Sequence, residues 1–267
     1  MHPFVALMKT YCIDYTNSHD QSLYDEIMEP DYVVNINGMA LERDTTYARS
    51  VERLFKMSPG LGLVVHDFVL NGDRLCMRFS EHAAMPTGDG SALACWRGIG
   101  LYQWNGQRLT ENWVEQDHLA MQQQLMDGVA HEVEPPHLDP WVGTEPIEAD
   151  ERAEVVTRAW LEAGDLADAS WAQIDDTPPG SPWSSAIEAT TIRVDDLFSA
   201  GSRVPFHITI TGAYTGAIPG VPAEHVGAEV TLPVSGIAEV RDGRVEAVRA
   251  VTSRAAVRYQ LTGASPI

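Results

Sequence analysis

A chain of 267 residues with 44% hydrophobic content is long enough for one large domain or two ordinary ones, each with a buried core. Its 38 acids against 18 bases give a formal net charge of −20, which argues against nucleic acid and anionic membranes as partners, because phosphate binding needs a basic face. Cys12, Cys76 and Cys95 are too few and odd in number for a disulfide framework, no apolar run is long enough to cross a bilayer and no secretory leader opens the chain, so the expectation is a cytoplasmic protein with reduced thiols.

Phe4, Leu7, Met8, Tyr11, Cys12 and Tyr15 recur at the spacing of a single helical stripe. Asp20–Met28 reads as a second, shorter helix, stopped at Glu29-Pro30. Asp31–Gly38 is strand-like and ends on Asn37-Gly38. Asp44 is placed to cap a third helix with Tyr47, Val51, Leu54 and Phe55 inward, broken at Ser58-Pro59-Gly60. Four long strands follow, Leu61–Leu70, Arg74–Met85, Ala92–Trp104 and Gln107–His118, with turns at Asn71-Gly72-Asp73 and Asn105-Gly106. That order predicts an α+β fold with helices on one face of a curled antiparallel sheet.

Asp127–Glu148 carries Pro135, Pro136, Pro140 and Pro146, several acids and no periodicity, and reads as a linker. The expected organisation is a barrel over 1–127, the linker over 128–148 and a second barrel over 149–263. His131, Glu134, His137 and Asp139 match no metal-ligand spacing, so no metal is expected. Beyond the linker the pattern begins again. Asp150 is placed to cap a helix, and strands follow over Thr190–Phe198, Arg203–Tyr214, Ala228–Val240 and Arg244–Tyr259. Gly72-Asp73-Arg74-Leu75 matches Gly201-Ser202-Arg203-Val204, Gly98-Ile99-Gly100 matches Gly236-Ile237-Ala238, and Gln124-Leu125 matches Gln260-Leu261. The chain reads as an internal duplication whose second copy is shortened between Gly164 and Thr190. That stretch contains Pro178, Pro179 and Pro182 and leaves no room for both the third helix and the strand before it.

The chemistry is expected in TENWVEQDHLAMQQQL, Thr110–Leu125. Alternation puts Trp113, Glu115 and Asp117 on one strand face and Asn112, Val114 and Gln116 on the other. Turned inward, the two carboxylates meet an apolar wall, where a raised pKa suits proton transfer near neutrality; turned outward, they are solvated acids. Arg78, Ser80 and His82 also share a face, expected to look at Glu115 and Asp117, with His82 as proton relay and Arg78 holding one acid ionised. Asn35 is placed to polarise a carbonyl, and Tyr102, Tyr11 and Tyr15 to exclude water. In the second copy Asp117 falls on Ser253, Glu115 on Val251, Trp113 on Arg249 and Arg78 on His207. The acids are gone, which suggests a catalytic first half and a second half that docks through its sheet.

The order helix–helix–strand–helix–four strands, with GDRL at Gly72, GIGLYQWNGQRL at Gly98 and W-x-x-x-D from Trp113 to Asp117 ahead of Gln124-Leu125, resembles the SnoaL-like polyketide cyclase branch of the nuclear transport factor two-like superfamily. In the second half Gly212-Ala213-Tyr214-Thr215-Gly216, Gly220 and GIAEVRDGRV at Gly236 carry the resemblance. It implies two cone-shaped α+β barrels, the second truncated, with a deep apolar pocket between curved sheet and helices. It also implies a cofactor-free acid–base enzyme of cyclase, isomerase, dehydratase or epoxide hydrolase type, acting on a small apolar carbonyl- or epoxide-bearing metabolite such as a polyketide or terpenoid. Asp117 matches the acid of the cyclases' closing strand. Arg78 and Glu115 match the arginine and second acid of the epoxide hydrolases, whose first acid is replaced here by Ser80. The expected site is therefore Asp117, Glu115 and His82 for catalysis, with Arg78, Trp113, Asn35, Tyr102 and Tyr15 around the substrate. The alternative is a non-catalytic protein of the same fold that holds a hydrophobic ligand. The expected partner is a small hydrophobic molecule, with no nucleic acid and no membrane, and the chain is either a monomer whose halves pair as a pseudo-dimer or a homodimer.

Overall fold

Turn chemistry and strand alternation organise the first half of the computed structural model, which describes residues 1–88, 90–175 and 186–264. Arg74–Thr87 (β4) and Gly90–Trp104 (β5) pair antiparallel, flanked by Gly62–Leu70 (β3) and Leu109–Gln116 (β6). A short hairpin, Val33–Ile36 (β1) and Met39–Glu42 (β2), turns on Asn37-Gly38 with φ of 51° and 72°. Both central residues of such a tight turn need positive φ, which Asn and Gly tolerate best. β1 then lies parallel to β6, giving the sheet order β2-β1-β6-β5-β4-β3.

The helices cover one face of this sheet. Pro3–Lys9 (α1) starts with proline, whose missing N–H costs nothing there, and runs on as a π-helical segment over Thr10–Asn17. Tyr24–Ile27 (α2) and Ala48–Met57 (α3) follow. Asp44 does not cap α3; its carboxylate pairs with Arg43 at 2.5 Å instead. Phe4, Met8, Cys12 and Tyr15 of the predicted stripe are buried with Leu75, Met77, Phe79, Tyr102 and Val114; Leu7 and Tyr11 are partly buried against them, and Val5, outside the stripe, is buried too.

The second half repeats the plan after Glu151–Glu162 (α5), whose first turn is capped by Asp150 at Arg152 N, 2.9 Å. Ile187–Leu197 (β8), Arg203–Tyr214 (β9), Glu229–Arg241 (β10) and Arg244–Thr252 (β11) pair antiparallel, and Gln173–Ile174 (β7) lies parallel to β11. The order β7-β11-β10-β9-β8 follows the same succession as β1-β6-β5-β4-β3. The shortened stretch keeps a two-residue remnant of the parallel strand, β7, and among the described residues no counterpart of α3 stands between α5 and β8. Pro178, Pro179 and Pro182, on which the expected shortening leaned, lie outside the described residues. The fold is α+β, with two curved sheets of six and five strands.

Each closing strand stops earlier than alternation suggests. His118–Asp127 (α4) follows β6 and Arg254–Thr262 (α6) follows β11, each ending on a left-handed glycine, Gly128 or Gly263, both at φ 70°. The paired Gln-Leu motifs therefore lie on helices. A second recurrence is a glycine under an aromatic ring. A Cβ on Gly98 would stand 2.3 Å from the Phe79 ring, and one on Gly236 would stand 2.3 Å from Phe206. This crossing superposes Phe79 on Phe206, and so Ser80 rather than Arg78 on His207, because Phe206 lies nearer its turn than Phe79 does.

The first sheet's other face meets the second sheet. Val69, Cys76, Ile99 and Leu101 share a core with Phe198, Ala200, Ile237 and Val251. The stretch 128–148 runs beside β3, bonded through His137 N to Val65 O (3.0 Å) and Ile147 N to Leu70 O (2.9 Å).

Candidate functional site

In β6 the alternation is as the sequence predicts, and the direction is opposite. Asn112, Val114 and Gln116 turn to the helices, while Trp113, Glu115 and Asp117 turn to the second sheet. The reason lies in what the second half supplies. Glu115 Oε1 is 3.0 Å from His207 Nε2, and its other oxygen is hydrogen-bonded to the Ser253 hydroxyl. Asp117 caps α4 at Ala120 N (3.1 Å), and its two oxygens accept from Arg254 Nη2 at 3.0 and 2.9 Å. Asp175 stands 3.3 Å from Arg254 Nε and accepts from Thr252 N and Oγ1, both at 2.6 Å. Glu115, Asp117, Asp175 and His207 are each at most 1% exposed. Buried carboxylates persist only when paired, and this seam pairs them. Burial disfavours the His207 charge, yet hydrogen bonds to Asp195 (2.9 Å) and Glu115 lift its pKa to about 9. Burial raises Asp175 against the pull of Arg254.

The other expected site residues are also accounted for. Arg78, Ser80 and His82 share a face, and it is again the outer one, covered by the stretch 131–136 rather than by Glu115 and Asp117. Arg78 pairs with Glu134, and His82 Nε2 lies 2.8 Å from Ser80 Oγ. Asn35 bonds Asn112 through backbone and side chain (3.1 and 3.0 Å), holding β1 to β6. Trp113 is half-buried with its ring 4.6 Å from that of His207, and Tyr102 is buried in the helix-side core. Tyr15 lines the cavity, as does Tyr11, which the sequence also places to exclude water.

That cavity, about 250 Å³, lies between the π-helical continuation of α1, α3, the start of α4 and the inner face of the first sheet. Ile36, Leu41, Leu54, Phe55, Met85 and Met121 make its wall apolar. Thr16, Ser50 and Arg53 also line it, and three further polar side chains matter for its chemistry, none of them an expected site residue: Glu81 of β4, Gln116 of β6 and His118 at the start of α4. Glu81 is 8% exposed, and burial lifts its carboxyl to about 7 against the opposing hydrogen bond from Gln116. The proton order of this cluster follows from donor inventory. Trp96 Nε1, which only donates, bonds Gln116 Oε1 at 2.8 Å, so the amide nitrogen faces Glu81 Oε1 at 3.5 Å. His118 Nε2, 3.0 Å from the same Gln116 oxygen, therefore carries a hydrogen. Asn37 Oδ1 accepts from Gln116 N (2.8 Å), so its Nδ2 donates to His118 Nδ1 at 3.1 Å, which assigns His118 the neutral Nε2–H tautomer.

A tyrosine cluster completes the wall. Tyr47 is buried, which raises its hydroxyl pKa, but hydrogen bonds from Tyr15 (3.4 Å) and Tyr11 restrain the rise to about 12. Tyr11 and Tyr15 are pushed higher, chiefly by burial. The Glu81 charge also reaches the Tyr47 hydroxyl. One signal in the sequence does point to Glu81: it shares its strand face with Phe79, Ala83 and Met85, a lone acid on an apolar stripe. Among the described residues no three His, Cys, Asp or Glu side chains converge as a metal site requires.

The chain is similar to solved SnoaL-like polyketide cyclases. A candidate polyketide cyclase from Acidithiobacillus ferrooxidans is 21% identical and matches 46% of this chain and 94% of its own, with a TM-score of 0.41. IdmH, a candidate polyketide cyclase from Streptomyces antibioticus, is 19% identical over 47% of this chain and 99% of its own, TM-score 0.41. A SnoaL-like polyketide cyclase from Agrobacterium tumefaciens is 17% identical over 45% and 97%, TM-score 0.37. Each aligns almost whole with just under half of this chain. No protein-family model matches the sequence, and no curated protein matches it.

Chemically, the cavity offers a carboxyl that exchanges its proton near neutrality and, on the same wall, a phenol that keeps its own. Neighbouring titratable groups held at well-separated pKa values divide naturally into base and acid.

Proposed function

We propose that the first-half cavity is the active site of an acid–base enzyme of cyclase, isomerase or dehydratase type, with Glu81 as general base and Tyr47 as hydrogen-bond donor. The observation that carries this reading is the Glu81 carboxyl, buried in an apolar wall and lifted to about 7. The substrate is a small, mostly apolar, carbonyl-bearing metabolite such as a polyketide or terpenoid. Glu81 removes the proton from the carbon beside the carbonyl and later returns it, both steps being accessible to a group poised near the ambient pH. The Tyr47 O–H stabilises negative charge as it develops on the carbonyl oxygen, at a site where few waters compete. Gln116 orients Glu81, held in turn by Trp96 and His118. No cofactor enters these steps. Arg78 and Glu115, on which epoxide opening depends, face away from the cavity.

The test is a metabolite screen comparing wild type with Glu81→Gln, which keeps shape and removes the titratable group. Loss of a general base lowers turnover by about 10²–10⁴-fold; equal turnover by the two proteins contradicts the assignment. The apolar wall also suits a second reading, a hydrophobic-ligand carrier, for which both proteins bind ligand equally and neither turns it over.

A further inference from the structure

The outer face of the first sheet is rich in hydrogen-bond donors, and the stretch 131–136 lies across it offering acceptors. Cys95 Sγ bonds the His131 carbonyl, and Arg97 Nη2 donates to the Glu132 carbonyl at 3.0 Å. The Glu134 carboxylate accepts from Arg78 Nη1 and, at 2.9 Å, from Arg97 Nε. The Pro135 carbonyl is 3.0 Å from His66 Nδ1. A carbonyl only accepts, so that ring nitrogen carries the hydrogen, and in the neutral ring His66 Nε2 accepts from the Ser80 hydroxyl at 2.8 Å. From the second sheet Arg249 Nη1 approaches Glu134 Oε1 to 3.6 Å.

Three guanidinium groups thus meet one carboxylate, in a chain whose net charge is −20. Burial works against the Glu134 charge, yet its own backbone N–H and the guanidinium groups of Arg78 and Arg97 hold its pKa near 2. Arg78 remains under-compensated: its buried Nε has no hydrogen-bond partner among the described residues, and Arg249 repels it. Asp175 borders the same small hollow but is already shared by Arg254 and Thr252. The hollow measures about 20 Å³, room for a water and not for a larger anion while Glu134 is in place.

We propose that this face is a binding site for a doubly charged oxyanion, phosphate or a phosphate monoester, and that Glu134 is its built-in occupant. A dianion matches three converging guanidinium forks better than a single carboxylate does, and planar forks suit phosphate oxygens in particular. Glu134 competes through its tether, at the millimolar effective concentration that a short linker provides, so the wild-type site admits phosphate only weakly. The site lies on the opposite side of the sheet from Glu81 and does not depend on the acid–base reading.

The test is calorimetric titration of the full chain with inorganic phosphate at pH 7.5 and constant ionic strength, in wild type, Glu134→Gln and Glu134→Gln/Arg78→Gln. The expected result is at least tenfold tighter binding at one site in Glu134→Gln, returned to the wild-type level or lost in the double variant. Absence of phosphate binding by Glu134→Gln, or equal binding by both variants, overturns the proposal. In wild type, phosphate is expected to speed amide exchange of residues 131–134, Pro135 and Pro136 having no amide hydrogen. If Glu134→Gln fails to fold, that exchange experiment decides alone, and amides unmoved by phosphate overturn the proposal.

Discussion

Glu81 lowers stability under the conditions in which it would serve chemistry. Its folded pKa of about 7 stands above the ordinary 4.5, so the folded protein holds this proton more tightly than the unfolded chain does. The contribution of Glu81 to stability is therefore fullest below pH 4.5, falls as pH rises toward 7 and then levels. A gap of this size corresponds to about 3 kcal/mol. Glu81→Gln is expected to match wild type near pH 4.5 and exceed it by up to about 3 kcal/mol at pH 8 in urea unfolding; equal stability at both values would place the carboxyl in water. Arg254 works the other way. Arg254→Met leaves Asp117 and Asp175 buried without their cation, and breaking a buried pair in this way costs about 3–5 kcal/mol. Adding Asp117→Asn is expected to recover part of that loss, because it removes one of the stranded charges. A strictly additive double variant would show that the two groups do not interact.

At the scale of elements, β6 shows what alternation reveals and what it leaves open. Period two tells which residues share a face and nothing about which face looks inward. Here both faces are buried, one against helices and one against another sheet, so no polar-out face identifies the orientation. The partners that draw Glu115 and Asp117 outward lie 92 and 137 residues further along the chain, beyond any local pattern. Glu81 was legible in principle, as an acid at the i+2 spacing of an apolar stripe, but the neighbouring Arg78-x-Ser80-x-His82 face offered more familiar chemistry. The glycine matches were legible as repeats, and the structure supplies their cause. Gly98→Ala or Gly236→Ala forces a methyl into the ring of Phe79 or Phe206, and each is expected to cost about 1–3 kcal/mol in thermal or urea unfolding. A silent Gly98→Ala would mean that the ring is not seated as described.

For the whole molecule, the recurring strand order could be read from turn glycines and the paired Gln-Leu motifs, whereas the way the halves meet could not. Their seam carries ion pairs as well as apolar contacts, and this makes it sensitive to pH. His207 is lifted from 6.5 to about 9, so its contribution is complete below pH 6.5 and is lost as pH rises through 9. Wild-type melting temperature is expected to fall across that window, and His207→Gln to start lower and lose the slope. An unchanged slope would show that the Glu115–His207–Asp195 chain does not link the halves. The Glu81 window lies lower, from 4.5 to 7, so the two effects separate along the pH axis.

Glu81 is the side chain on which the proposed chemistry rests, and carboxyl carbon NMR measures it directly. Titrating wild type, with the Glu81 resonance assigned through Glu81→Gln, is expected to give a midpoint near 7. A midpoint near 4.5, the value of a carboxyl in water, would contradict the claim that this cavity holds a tuned acid–base group.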